Sequence, residues 1–238
     1  MSKLVFVHGW VNKYIINKNE NIIEFYKDLI DKLNNFFEVY FVTLPGFSNN
    51  PEPEKAYFLD DYVNYLKKYT EDKNLNKFYL MGHSFGGQIS CKFSYLYPDK
   101  VEKLILYNAA CIRRKSLKQK ILDKVKNKPF TYIFKKFPFL RKLLYRIITG
   151  STYYLELSEI MQKTFQNVIK EDLTEILSKI NVETIIMWGK KDRLTPLWQG
   201  KLISNLIKNS KIFIDQNGGH NLHKYNVDFI INSLIKQN

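Results

Sequence analysis

Short, continuous apolar runs alternate along the chain with longer segments whose apolar residues recur at helical spacing. Most of the short runs are apolar throughout rather than at every second position, which is typical of parallel strands buried on both faces. This alternation predicts an α/β fold with a mostly parallel six-stranded sheet flanked by helices. The predicted strands are Leu4–Val7, Glu38–Thr43, Lys77–Met81, Lys103–Asn108, Thr184–Trp188 and Lys211–Ile214.

One long interval, from about Cys111 to Lys179, breaks the alternation because it contains apolar stripes of helical period and no strand pattern. We therefore predict an α/β core of residues 1–110 and 179–238, interrupted by a helical cap of residues 111–178. The helices predicted in the core are Glu20–Asn34, Phe58–Glu71, Phe85–Tyr97, Pro196–Lys208 and Asp228–Ile235.

The charge of the chain is distributed unevenly. The 238 residues include 37 Lys and Arg against 23 Asp and Glu, for a formal charge of +14 at pH 7. Residues 111–150 contain 13 of the basic residues and a single acidic one, Asp123, so the excess lies almost entirely in the predicted cap. A basic surface attracts nucleic acid, anionic membranes or acidic proteins. No recognised nucleic-acid-binding motif accompanies this one, so a nucleic acid partner is not expected.

Location and redox state follow from what the sequence lacks. No apolar run reaches the roughly 18 residues of a membrane-spanning helix, and the apolar stretch at the N-terminus is too short for a signal peptide. The two cysteines, Cys91 and Cys111, are too few for a disulfide framework. We expect buried thiols in a cytoplasmic protein, with peripheral attachment to a membrane as the alternative.

The strongest local signal for chemistry is the sequence GHSFGG at residues 82–87, which follows an apolar strand run and precedes a helix. A serine on such a tight turn adopts a strained backbone, and Gly82 and Gly86 relieve the crowding around it. Ser84 also stands at a helix N-terminus, where developing negative charge is favoured. These features predict Ser84 as a nucleophile.

A serine hydroxyl needs a general base, and four histidines are available. His220 follows the last predicted strand across an Asn-Gly-Gly loop, which makes it the candidate base. His8 and His83 belong to other motifs, and we expect His8 to brace its own loop. His223 has no turn pattern around it and is expected on the surface.

The candidate acid is Asp192, which also lies just past the end of a predicted strand. Asp215 is the competing carboxylate, but it is only five residues before His220 and is poorly placed to fold back onto the imidazole. The strand before the cap ends in Asn108 rather than an aspartate. We therefore expect Ser84, Asp192 and His220 to meet at the carboxyl edge of one sheet, where open α/β sheets bind ligands.

Together these motifs resemble the α/β-hydrolase family over essentially the whole chain. The matching runs are LVFVHGW at 4–10, LPGFS at 44–48, GHSFGG at 82–87, WG-x-x-D at 188–192 and GH at 219–220. The resemblance implies a cap above Ser84 and an oxyanion hole formed by the backbone N–H groups of Trp10 and Phe85. Members usually begin with two antiparallel strands before the His-Gly strand. That strand starts here at Leu4, so we predict a core without those first two strands.

The motifs predict a serine hydrolase that cleaves a carboxylic ester or thioester through an acyl-enzyme on Ser84, with no cofactor and no metal ion. A serine nucleophile argues against dehalogenase and epoxide-hydrolase chemistry, which in this family uses aspartate. The three residues alone do not distinguish esters from some amides or activated C–C bonds. The competing class is a non-catalytic binding protein with the same fold, disfavoured because none of the three residues is missing.

We expect a small acyl substrate, and the basic segment 111–150 leaves open how that substrate arrives. The simplest reading is a lid with a solvated outer face. A second is an acidic carrier protein, because the sequence resembles at family level the carrier-protein methyl esterase of biotin synthesis, which also has a His-Gly-Trp loop and a basic cap. A third is an anionic membrane, since Phe130–Ile148 mixes basic and aromatic residues, and it implies lipase or lysophospholipase chemistry.

Overall fold

The computed structural model describes residues 1–11, 21–113 and 157–235. Within these ranges the protein forms one sheet of six parallel strands in the order β2-β1-β3-β4-β5-β6. The strands are β1 (Ser2–Val7), β2 (Phe37–Val42), β3 (Phe78–His83), β4 (Val101–Tyr107), β5 (Thr184–Gly189) and β6 (Ser210–Asp215). The predicted fold class is confirmed, and each predicted strand agrees with the observed one to within two residues at either end.

Helices pack on both faces of the sheet. The chain passes from β1 to β2 in one direction across the sheet, and from β2 to β3 and β3 to β4 in the other. Because crossovers between parallel strands are right-handed, the helices between β1 and β2 lie on one face and those that follow β2 and β3 lie on the other. In the described ranges the helices are α1 (Ile22–Phe25), α2 (Lys27–Leu33), α3 (Leu59–Asp72), α4 (Phe85–Leu96), α5 (Glu159–Val168), α6 (Thr174–Leu177), α7 (Leu197–Leu206), α8 (Leu222–Tyr225) and α9 (Val227–Ile235).

The helix predicted over Glu20–Asn34 is interrupted at Tyr26, so its continuity is a wrong prediction. Tyr26 has φ −106° and ψ 6°, outside the helical region, and separates α1 from α2. Its side chain is almost fully buried, and its hydroxyl bonds to the backbone of Gly9. The break therefore accompanies a tyrosine that points inward to the loop after β1.

The strand order opens a crevice between the loops that follow β1 and β3. The chain leaves β1 towards one edge of the sheet and leaves β3 towards the other, and open α/β sheets bind ligands at such a reversal point. Val7 is paired with Gly82 near the carboxyl ends of these strands, so the two loops start at the same level. The site predicted at this edge therefore has a suitable position in the fold.

The core is the two-sided packing of this sheet. Leu4 to Val7 of β1 are fully buried, and burial of each such side chain contributes about 1.5–3 kcal/mol. No helix in the described part of the chain is long and apolar enough to cross a membrane. Of the predicted cap, α5 and α6 are described, whereas residues 114–156, with most of the basic segment, lie outside the described residues. The division into core and cap therefore stays a prediction.

Candidate active site

Ser84 occupies the tight turn between β3 and α4. Its φ of 52° and ψ of −112° lie in a region that a residue with a Cβ adopts only under strain. Close packing explains the flanking glycines. A Cβ on Gly82 would lie 2.5 Å from the carbonyl oxygen of Gly86, and one on Gly86 would lie 2.1 Å from that of Val7. The turn thus holds the serine hydroxyl beyond the carboxyl end of the sheet.

His220 and Asp192 form a continuous hydrogen-bonded series with Ser84. Nε2 of His220 lies 2.9 Å from Oγ of Ser84, and its Nδ1 lies 2.8 Å from Oδ2 of Asp192. The three side chains come from the loops after β3, β5 and β6, so the structure brings together all three residues predicted from the sequence. A neutral imidazole that donates from Nδ1 to the carboxylate leaves Nε2 as an acceptor for the serine proton.

The carboxylate of Asp192 is buried and accepts further hydrogen bonds. Its Oδ1 accepts from the N–H of Leu194 at 2.8 Å and of Thr195 at 2.9 Å. Its Oδ2 accepts from the hydroxyl of Thr195 at 2.6 Å and from Nδ2 of Asn108. Burial raises the pKa of Asp192, but the hydrogen bonds from His220 and Thr195 outweigh burial and hold this pKa below the ordinary aspartate value. The group is therefore ionised at neutral pH.

Asn108 and Thr195 contact the candidate site in a way that the sequence did not reveal. Nδ2 of Asn108 also lies 3.4 Å from the carbonyl oxygen of Gly219, so its amide contacts both the acid and the histidine loop. Oγ1 of Thr195 lies 3.2 Å from Nδ1 of His220. The sequence signal for Thr195 was its position three residues after Asp192, because an aspartate in a turn commonly accepts hydrogen bonds from the next few residues. For Asn108, the only sequence signal was its position at the end of a predicted strand.

The competing carboxylate, Asp215, has a different environment. Its Oδ1 accepts from the N–H of Asn217 at 2.9 Å and of Gly218 at 3.0 Å, and its Oδ2 accepts from Nδ2 of Asn226. These bonds shape the turn that leads from β6 to His220. Asp215 thus supports the histidine loop, and it is Asp192 that contacts the imidazole.

The two residues expected to supply oxyanion donors flank Ser84. Phe85 is the first residue of α4, and the first N–H groups of a helix have no acceptor inside the helix. Trp10 follows Gly9, whose backbone comes so close that a Cβ there would lie 3.2 Å from Cβ of Ser84. Both loops therefore adjoin the serine, at the crevice between β1 and β3.

Aromatic rings cluster around Trp10, next to the serine turn. The indole of Trp10 makes edge-to-face contacts with Phe47 at 4.9 Å, Phe85 at 5.4 Å and Phe165 at 5.0 Å between ring centroids. Phe165 belongs to α5, inside the predicted cap. These four rings form an apolar wall next to Ser84.

For two of the other histidines, His8 and His223, the structure confirms one expectation and contradicts the other. His8 donates from Nδ1 to the carbonyl of Gly9 at 2.7 Å and accepts at Nε2 from the N–H of Leu44 at 3.0 Å, so it braces its loop as expected. Burial lowers the pKa of His8 to about 4. His223 is buried, not on the surface, because its ring packs 4.3 Å from that of Tyr26, and burial lowers its pKa to about 3.

The chain segments on either side of residues 114–156 are attached to α4 through Gln88. Its Nε2 donates to the carbonyls of Val168 at 3.1 Å and Glu171 at 3.0 Å, and its Oε1 accepts from Nη2 of Arg113 at 3.0 Å. The N–H of Arg113 in turn donates to the carboxylate of Asp172 at 2.6 Å. The helix that begins after the serine thus binds the chain on both sides of this interval.

Comparisons with known proteins agree with this architecture. The chain is 23% identical over 230 residues to 2-hydroxy-6-oxononadienedioate/2-hydroxy-6-oxononatrienedioate hydrolase 1 of Pseudomonas putida, covering 89% of this chain and 76% of that protein. It is 28% identical over 233 residues to the pimeloyl-[acyl-carrier protein] methyl ester esterase of Wigglesworthia glossinidia brevipalpis, covering 90% and 83%. The structure of bromoperoxidase from Bacillus anthracis has a similar fold, with a TM-score of 0.73 at 20% identity over 99% of this chain and 91% of that one. A family model for the alpha/beta hydrolase fold matches residues 3–131, more than half of the chain. With its parallel six-stranded sheet and its serine turn after β3, the chain belongs to the α/β-hydrolase fold family.

Proposed function

We propose that the protein is a serine hydrolase that cleaves a carboxylic ester or thioester through an acyl-enzyme on Ser84. The hydroxyl of Ser84 attacks the acyl carbonyl while His220 takes its proton, and Asp192 stabilises the imidazolium that forms. Backbone N–H groups of Trp10 and Phe85 bind the oxyanion, and loss of one such donor typically costs about 2.7–4 kcal/mol. The imidazolium protonates the leaving group, and the neutral imidazole then activates the water that releases the acid.

The observation that supports this proposal most strongly is the series of hydrogen bonds from Ser84 through His220 to Asp192, at 2.9 Å and 2.8 Å. In this series Nε2 of His220 faces the serine hydroxyl and can accept its proton. The strained backbone of Ser84 also has an energetic cost that a binding protein would have no reason to retain. The similar proteins named as hydrolases and esterases add to this support. A non-catalytic binding protein is the alternative.

Covalent labelling with a fluorophosphonate distinguishes these alternatives. Wild-type protein should be labelled stoichiometrically, and Ser84→Ala should not be labelled at all. Ser94→Ala is the matched control, because it removes another buried hydroxyl from α4 whose oxygen has no hydrogen-bond partner in the described structure. If wild type resists the reagent as completely as Ser84→Ala, the protein is not a serine hydrolase.

The apolar wall of Trp10, Phe47, Phe85 and Phe165 favours an uncharged acyl group next to Ser84. Nitrophenyl hexanoate should therefore be a better substrate than the equally long monoester of adipic acid, since burial of an unpaired carboxylate against these rings is unfavourable. We expect kcat/KM to differ by at least about tenfold. Equal values would mean that the acyl chain binds elsewhere.

The acyl group could also be delivered as an ester or thioester on an acidic carrier protein, rather than as a free small ester. The basic composition of residues 111–150 and the similarity to the carrier-protein methyl ester esterase support it. Pull-down with an acyl carrier protein and co-sedimentation with anionic vesicles, each at low and moderate salt, separate this candidate from a membrane surface. If the protein binds neither the carrier protein nor the vesicles, a free small ester is the substrate. The dienedioate named for the Pseudomonas putida relative should be tested beside the nitrophenyl esters.

A further inference from the structure

Tyr26 and His83 connect the loop that carries Trp10 with the loop that carries His220. The N–H of Gly9 donates to the phenolic oxygen of Tyr26 at 3.0 Å, and that oxygen lies 2.7 Å from Nδ1 of His83. On the other side of the ring, Nε2 of His83 lies 3.0 Å from the backbone carbonyl oxygen of His220. A single path of hydrogen bonds therefore runs from one loop to the other beneath the serine turn.

The protons along this path have one consistent arrangement. A carbonyl oxygen only accepts, so Nε2 of His83 carries a proton and donates it to His220. Burial, and secondarily the neighbouring histidines, keep the pKa of His83 well below its ordinary value, so the ring is neutral and Nδ1 accepts from Tyr26. Burial also raises the pKa of Tyr26, which keeps its proton and accepts from Gly9 through oxygen. Every polar group on the path is satisfied.

Tight packing prevents either ring from turning away. The imidazole of His83 stacks on Tyr107 with ring centroids 4.4 Å apart and planes within 12°. The ring of Tyr26 packs edge-on against Phe6 at 5.2 Å. A Cβ added to Gly9 would lie 2.9 Å from Nδ1 of His83, so the first loop rests directly on the imidazole. The path is thus a rigid connection.

We propose that Tyr26 and His83 are positioning residues for the reaction on Ser84, because they fix the Trp10 loop and the His220 loop relative to each other. This inference rests on the proposed function, in which one loop supplies an oxyanion donor and the other supplies the base. In the described structure neither side chain is hydrogen-bonded to the side chains of Ser84, Asp192 or His220, and both act through the loops. The ring of His83 also packs 5.1 Å from that of His220, which helps to hold the base in place. A displacement of about 1 Å between such groups lowers a rate by roughly 100-fold.

Tyr26→Phe tests the proposal with the smallest change. It keeps the ring and removes the hydroxyl, so the N–H of Gly9 loses its acceptor and Nδ1 of His83 loses its donor. We expect kcat for a nitrophenyl ester and the rate of fluorophosphonate labelling to fall about 10- to 100-fold, with KM within about threefold of wild type. Tyr107→Phe is the matched control, because its ring stacks on His83 while its buried hydroxyl, 3.4 Å from Nδ1 of His223, is outside the path.

Two substitutions at His83 supply the conservative comparison. The amide of His83→Gln can still donate towards the carbonyl of His220, whereas His83→Leu can donate nothing. Activity of the glutamine variant should exceed that of the leucine variant by at least about fivefold at equal folded concentration, since one hydrogen bond is regained. Equal activity of the two variants overturns the role of His83.

The outcomes separate this inference from the proposed function. If Tyr26→Phe loses thermal stability to the same extent as Tyr107→Phe and keeps its kcat, both side chains are structural and the inference is wrong. ¹⁵N NMR of wild type provides a readout without turnover, and it should find the His83 ring protonated at Nε2 and unprotonated at Nδ1 at neutral pH. The opposite tautomer overturns the connection itself. Failure of wild type to react with fluorophosphonate overturns the proposed function and the role in catalysis with it.

Discussion

Asp192 and His220 are neighbours in the site, yet the protein holds them in different ways. The carboxylate of Asp192 accepts hydrogen bonds from backbone and side chains on three chain segments. In the described structure, the carbonyl of His220 accepts its one side-chain hydrogen bond from His83. Redundant donors mean that loss of any one changes the acid little, whereas the backbone carbonyl of His220 has a single side-chain donor. Substitutions can test this difference.

The largest effect is expected from removal of the acid itself. Asp192→Asn keeps the shape of the side chain but withdraws the negative charge and favours the wrong imidazole tautomer, so kcat should fall about 10⁴-fold. Steady-state kinetics with a nitrophenyl ester measure it. Asp215→Asn is the matched control at the end of β6, because its amide oxygen can still accept from the N–H groups of Asn217 and Gly218. The kcat of its folded fraction should stay within about threefold of wild type. Comparable losses in the two variants would mean that the acid is misassigned.

Removal of one donor to Asp192 should have a much smaller effect. Thr195→Val removes one hydroxyl, and Asn108→Gly removes the amide while keeping a residue that tolerates the positive φ of 49°. Because the other donors remain, each variant should lose no more than about tenfold in kcat, which corresponds to one hydrogen bond. That loss is smaller than the one expected for Tyr26→Phe. A loss near that of Asp192→Asn would show that the donors are not redundant.

The last comparison concerns stability and pH rather than the rate of reaction. His8 and His223 have native pKa values of about 4 and about 3, whereas the unfolded chain binds protons at histidine from about pH 6.5 downwards. Between these values the unfolded state holds more protons, so stability falls as the pH falls, by up to about 1.4 kcal/mol per pH unit for each histidine. Thermal melting at pH 7.5 and 5.0 should show this loss.

His223→Phe removes one of these titrating groups and fills a similar volume beside Tyr26. The loss of thermal stability between pH 7.5 and 5.0 should therefore be smaller in this variant than in wild type. Identical pH dependence would mean that His223 does not resist protonation in the native state.

The parts of the fold and site that the sequence predicts are those with a local cause. Each strand is a continuous apolar run, and the serine turn needs glycines at fixed offsets from Ser84, so both can be identified without tertiary contacts. The strand-end positions of Asp192 and His220 add one topological rule, that parallel strands end at a common edge.

The parts that escaped prediction depend on residues distant in sequence. The helix break at Tyr26 accompanies a hydroxyl that bonds to Gly9, and nothing in the apolar pattern of that segment signals it. His223 is buried because α8 packs on α2, although its own neighbours have no clear period. Asn108 contacts Asp192 across 84 positions of the chain, so only the folded sheet reveals its role.

The attachment of both sides of residues 114–156 to Gln88 has a consequence for how this protein can change. Arg113 and Asp172 meet through a hydrogen bond, and Gln88 binds the chain on both sides, so the core holds both flanks of residues 114–156. Doubling the length of a closed loop costs only about 0.6 kcal/mol, and insertions are best tolerated where the two ends already adjoin. Chimaeras that replace residues 114–156 with another hydrolase's segment, and keep α5 with its buried Met161 and Val168, should therefore retain the folded sheet while acquiring a different substrate range.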